Sequence, residues 1–166
     1  QTVSCTEGLC VEETIDPCYY SLPYIQPFTG CADLAAIGWA NIDFDDSTTD
    51  NWGCGSTGGL GPDAYLKFDW EPQVEPVQTY MRTPGLSLAG QTHVTVQVDR
   101  AIDFFQNQAN FGVAVSELGD FTDADIFWFE STTADLEPET LTLSMPDEYL
   151  GSDLFFGFYL GLNSSY

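Results

Sequence analysis

The chain is predicted to be all-β: a β-sandwich of the jelly-roll kind behind a Cys-rich N-terminal arm. Three observations lead there. Apolar and polar residues alternate at period two, most cleanly where Val94, Val96 and Val98 share one side and Thr95 and Gln97 the other. That is the pattern of a strand with one buried face. The apolar runs are short and are separated by turn-forming clusters such as Gly58-Gly59-Leu60-Gly61-Pro62-Asp63, which punctuate a chain at loops. Finally, no stretch long enough for a stable helix keeps a 3.6-residue period. Many short strands joined by such loops point to a sandwich.

Residues 1–30 stand apart. They carry Cys5, Cys10 and Cys18, prolines at 17, 23 and 27, and no apolar periodicity, so they are read as a stapled arm. Residues 31–166 form the sandwich domain. Its strands are expected at 39–44, 64–68, 78–82, 93–101, 111–116, 126–130, 140–144 and 154–160. In the fifth, Phe111, Val113 and Val115 share a face, with Gly112 and Ala114 opposite. The eighth, with Phe155, Phe156, Phe158 and Tyr159, is apolar throughout, as a central strand covered on both faces should be. Little chain follows it, so its second neighbour is expected from the arm, from sequence beyond Tyr166 or from another chain. Of these, the arm of a neighbouring subunit is preferred, because an unpaired apolar edge aggregates.

A chain of 166 residues is one domain, able to bury roughly 70% of its unfolded surface. Its 12 Phe, 8 Tyr and 4 Trp supply a core and exclude intrinsic disorder. Charge is the extreme feature: 3 Lys+Arg against 26 Asp+Glu, net −23. Nucleic acid is excluded as a partner, since affinity there comes from cations neutralising phosphates. Anionic membrane surfaces are disfavoured for the same reason, and no apolar window is long enough to span a bilayer. The self-repulsion of such a globule is relieved by salt, whose screening length falls to about 3 Å at 1 M, or by divalent cations. This composition suits a secreted protein of sea water, brine or a calcium-containing medium.

The five cysteines, at 5, 10, 18, 31 and 54, form no CxxC pair, and the single histidine, His93, lies far from them. Zinc is therefore disfavoured and disulfides in an oxidising compartment are expected. The Gln1 start matches what signal-peptide cleavage leaves. Cys31 and Cys54 are expected to bridge across the Asp-rich segment between them. Cys5 and Cys10 would close a local loop, leaving Cys18 free or intermolecular.

Asp43, Asp45 and Asp46, followed by Asp50, form the strongest local cluster. Alternate carboxylates after a strand suit a hard cation with oxygen ligands, so calcium is the expected cofactor. It is not an EF-hand loop, and a solvated acidic turn is the competing reading. Two more acidic loops, Glu117 with Asp120, Asp123 and Asp125, and Asp147 with Glu148 and Asp153, read as connections between strands. Catalysis finds no support. There is no G-x-S-x-G, nothing singles out a carboxylate pair, and His93 is placed inside an alternating strand as a structural residue. Trp52 and Trp70, in polar loop-like surroundings, are candidates for stacking on sugar rings, as are Tyr19, Tyr20 and Tyr24. Asn163-Ser164-Ser165 is the one N-glycosylation sequon.

From about Pro23 onward the order of features resembles the cleaved-adhesin, or choice-of-anchor J, modules, relatives of the MAM-type jelly roll. The features are Pro27-Phe28, Gly38-Trp39, the Asp43–Asp50 loop, Trp52, the strand at 64–68, Tyr80-Met81-Arg82-Thr83-Pro84, and Phe111 to Ser116. The Cys-rich arm is extra and the usual last strand is absent. The resemblance implies a secreted, non-catalytic module for adhesion, carbohydrate or surface attachment, and it adds weight to calcium at Asp43, Asp45 and Asp46. The expected function is an extracellular adhesive or structural sandwich whose partner is itself, as a homopolymer exchanging arm or strand. The alternative is a carbohydrate-binding module recognising surface glycans.

Overall fold

A computed structural model describes residues 19–28, 34–44, 52–55, 65–68, 77–102 and 108–162. These form an all-β fold of eleven strands: β1 (Tyr20–Ser21), β2 (Ala40–Asp43), β3 (Trp52–Gly55), β4 (Tyr65–Phe68), β5 (Val77–Arg82), β6 (Leu86–Ser87), β7 (Thr95–Ile102), β8 (Ala109–Ser116), β9 (Asp125–Thr132), β10 (Leu136–Ser144) and β11 (Asp153–Leu162). The only helical turns among the described residues are two short 3-10 pieces, Ala35–Ile37 and Asp147–Tyr149. All eight expected strands form, several extended at their ends. Three short ones, β1, β3 and β6, were not expected.

The main sheet runs β2-β5-β11-β8-β9, antiparallel throughout. The Phe-rich β11 is central, as its composition requires. Both its edges are filled by its own chain, which corrects the expectation of an outside partner. Along one edge β8 pairs from Phe155↔Ser116 to Leu162↔Ala109. Along the other, β5 pairs from Gly157↔Arg82 to Leu162↔Val77, and β6 continues at Leu154↔Leu86. Across the gap between β5 and β6 the ladder is kept by Thr83. Its N–H donates to the Phe156 carbonyl at 2.8 Å, and its hydroxyl accepts from the Phe156 N–H at 3.1 Å. The arm does supply a strand, but to its own chain: Tyr20–Ser21 pairs in parallel with Leu86–Ser87.

One face of this sheet carries Val113, Val115, Leu154 and Phe156. Against it pack Val96 and Leu143 from the separate β7–β10 ladder, with Val94 and Met145 flanking its end. The alternation of Val94, Val96 and Val98 is thus read correctly, although β7 begins only at Thr95. A bulge in the β8–β9 pairing between Val113 and Ala114 sets an extra residue on β9, so the consecutive Phe127 and Trp128 both reach this core. Arg100 of β7 bridges the layers at one end. It pairs with Glu130 of β9 at 2.8 Å and with Glu139 of β10, and lies over the rings of Phe111 at 4.7 Å and Trp128 at 5.2 Å.

The segment 19–28 packs on the body. Trp39, 4% exposed, meets Phe28 edge-on at 5.0 Å and stacks on Phe158 at 5.9 Å. Its indole N–H donates to the Tyr24 hydroxyl at 3.1 Å, which in turn donates to Gln26.

Candidate functional site

Among the described residues, the opposite face of the main sheet is covered at one end only. There Tyr80, Ala114, Phe121 and Phe155 form a second core, with Tyr19, Ile42, Ile126 and Tyr159 packed around it. The cover is the β8–β9 connection, which folds back over the strands. Phe121, at φ 60, drops its ring onto the backbone of Gly157, where an added Cβ would lie 2.7 Å from Phe121 Cζ. Asp123 holds that loop: its carboxylate accepts from the N–H groups of Glu117 and Leu118, at 3.2 and 3.3 Å, and from the Ser116 hydroxyl. Asp120 accepts from the Thr122 N–H at 3.1 Å and hydroxyl at 2.9 Å, which lowers its pKa. Asp125 accepts from Tyr149, whose phenol is pushed up to about 12 mainly by that bond. The acidic loop is thus the hairpin connection expected. Asp147 and Glu148 likewise sit in the 3-10 turn joining β10 to β11.

At the other end no other described segment lies over the face. The pairings Tyr80↔Tyr159, Tyr159↔Gly112 and Gly112↔Phe129 line up one row across β5, β11, β8 and β9. Phe44, just past β2, joins it through Tyr80 at 5.6 Å. Tyr80 meets Tyr159 at 5.1 Å, and Tyr159 meets Phe129 at 6.4 Å with the planes 33° apart. Phe44 is 43% and Phe129 54% exposed. Tyr159 lies down along its own strand, over Gly161, where a Cβ would come 3.0 Å from its ring; only glycine leaves room for that posture. The next row beside the rings is Gln78, Gly161, Asn110 and Ser131. Gln78 hydrogen-bonds the Tyr159 hydroxyl and Ser131 donates to Asn110. Burial raises the pKa of both Tyr80 and Tyr159, so both phenols are neutral near pH 7. The strip is a line of rings edged by amides and a hydroxyl, with no charged side chain in either row.

No family model, curated protein sequence or solved structure matches the chain. The site therefore stands on its own geometry.

The residues singled out from sequence lie elsewhere or outside the described set. Trp52 is in β3, edge-on to Phe68 at 5.3 Å in the small β3–β4 ladder, with its indole N–H buried and without a partner among the described residues. Asp43 ends β2 and is exposed; Asp45, Asp46 and Asp50 fall outside the described residues, as do Trp70, Asn163, Cys5, Cys10, Cys18 and Cys31. Among the described residues no three metal-ligating side chains converge. Cys54, in β3, is disulfide-bonded, to a partner outside those residues. His93 is not inside a strand: it precedes β7, is exposed, and touches the Thr95 hydroxyl at 3.2 Å.

The strip itself was missed because its rings are spread from residue 44 to residue 159. One local signal was available. Ile126-Phe127-Trp128-Phe129 is a run of four apolar residues, more than a strand with one fully covered face can bury, so at least one ring had to face outward.

Proposed function

We propose that this chain is a non-catalytic adhesive module of the extracellular space, built as a jelly-roll-like β-sandwich, and that it binds surface glycans through Phe44, Tyr159 and Phe129, with the buried Tyr80 supporting them from the core. The strip carries the proposal. A pyranose presents an apolar C–H face and a rim of hydroxyls. Exposed rings match the first, and Gln78, Asn110 and Ser131, able to donate and accept, match the second. Exposed aromatic rings beside a few polar groups on one sheet face mark a recognition surface. The resemblance to cleaved-adhesin modules points to the same class, and the acidic composition suits secretion.

The test is a glycan array probed with the intact chain and with a Phe129→Ala, Tyr159→Ala double variant. Binding to a subset of glycans that the variant loses is expected; an unchanged profile would sink the strip as the site. A second reading, a fibre subunit, is favoured by the outer edge of β9, which pairs with β8 alone among the described residues. Light scattering in salt and calcium decides it, since a fibre subunit runs far above 18.3 kDa.

A further inference from the structure

Arg82 is the anomaly of the described surface. In a chain with 26 acidic and 3 basic residues, every cation has a surplus of carboxylates to pair with. Arg100 holds two. Arg82 holds none: no hydrogen bond or ion pair reaches its guanidinium among the described residues, and its Nε is buried without a partner. The pull of burial on its pKa is downward and no carboxylate opposes it. Carboxylates are near in sequence to the loop that covers it. Gly119 stands so close to Nη1 that a Cβ there would lie at 3.0 Å, and Asp120 follows directly. Yet Asp120 turns to Thr122, and Asp123 to Ser116, Glu117 and Leu118. The guanidinium is stacked over the Phe155 ring at 4.7 Å, which occupies one flat face, and its two Nη groups, unlike Nε, are not buried. A half-buried guanidinium kept unpaired against such odds calls for a ligand, and its planar fork fits a carboxylate in two-point fashion.

Arg82 also shares the sheet face of the aromatic strip. It is two residues from Tyr80 and four from Gln78 on β5, and pairs with Gly157 as Tyr80 pairs with Tyr159. At about 3.3 Å per residue the Arg82 Cα lies roughly 7 Å along the strand from that of Tyr80. We propose that Arg82 receives a carboxylate of the ligand bound on this face, so that the glycans recognised carry uronic acid. This inference rests on the glycan reading of the strip and names its substrate class. The long-range repulsion between an acidic glycan and a chain of net −23 is screened in salt, while the contact at Arg82, being partly desolvated, is screened less.

The chain has two arginines, so its arginine Nε–H spectrum carries two side-chain signals, assigned with Arg82→Lys. The labelled intact chain is titrated at constant ionic strength with a uronic-acid disaccharide, with the matching neutral disaccharide, and with acetate. The expected result is a saturable shift of the Arg82 signal and of the Phe129 and Tyr159 ring signals by the uronate. It should bind at least tenfold tighter than the neutral sugar, and the preference should fall with Arg82→Gln and partly persist with Arg82→Lys. Ring shifts of equal affinity with both sugars would overturn the uronate inference and leave the glycan reading standing. Ring signals unmoved by either sugar would overturn both. Acetate acting as strongly as the uronate on Arg82 would reduce the site to a general anion contact and overturn the inference as well.

Discussion

The interlock of Phe121 and Gly157 decides whether the β8–β9 connection is part of the core or a loop lying on it. Phe121 is 2% exposed and touches Tyr80 at 5.1 Å. Truncating a buried Phe to Ala costs about 3–5 kcal/mol through lost burial and the cavity left behind. Gly157→Ala places a methyl carbon 2.7 Å from Cζ and 3.1 Å from Cδ1 of that ring. The ring cannot retreat easily, because Asp123 and Ser116 pin the loop, so overpacking of about 1–3 kcal/mol is expected. In the double variant the clash vanishes and the new methyl fills part of the cavity. Its loss should be no greater than that of Phe121→Ala alone, giving an interaction energy of about 2 kcal/mol in the favourable direction. Urea unfolding of the four proteins at fixed salt, with equal m-values, measures the cycle. Additivity within about 0.5 kcal/mol would refute the interlock and mark the loop as peripheral.

Three further outcomes are expected. Arg100→Met should lower stability by about 2–4 kcal/mol in denaturant titrations. It strands Glu130 and Glu139 and removes two ring contacts, and the figure is held below that of a fully buried pair because both carboxylates are partly exposed; a loss under about 1 kcal/mol would show the bridge to be incidental. Tyr149 is raised to about 12 from an unfolded value near 10, so the unfolded chain releases that proton first. The stability it contributes is present below pH 10 and lost as pH climbs towards 12, and Tyr149→Phe should flatten part of that alkaline decline in the melting temperature. Calcium should raise the melting temperature beyond an equal ionic strength of sodium if Asp43, Asp45, Asp46 and Asp50 share an ion, the stabilisation being about 2.7 kcal/mol at a hundredfold excess over Kd; identical melting in chelator and calcium removes the metal.

The class of fold was legible because period-two alternation is local: Val94, Val96 and Val98 declare a buried face without reference to any other segment. The short strands were not legible for the same reason. Two-residue β1 and β6 contain no period to detect, and they exist because Leu86 and Ser87 find Leu154 and Asp153 on one side and Tyr20 and Ser21 on the other. His93 was drawn into its strand by the valines after it, although its pairing partners begin only with Thr95↔Ser144.

By itself the sequence determined that the chain is all-β, strongly acidic, rich enough in aromatics to hold a core, and centred on its Phe-rich strand near residue 155. These follow from composition and from neighbours a few residues apart. Only the tertiary structure decided that β11 is closed by its own chain, that Phe121 covers one half of a sheet face and leaves the other half to Phe44, Tyr159 and Phe129, and that Arg82 meets no carboxylate among the described residues. Each of these depends on which strands lie side by side, and that is set by the packing of segments many tens of residues apart, which no local pattern encodes.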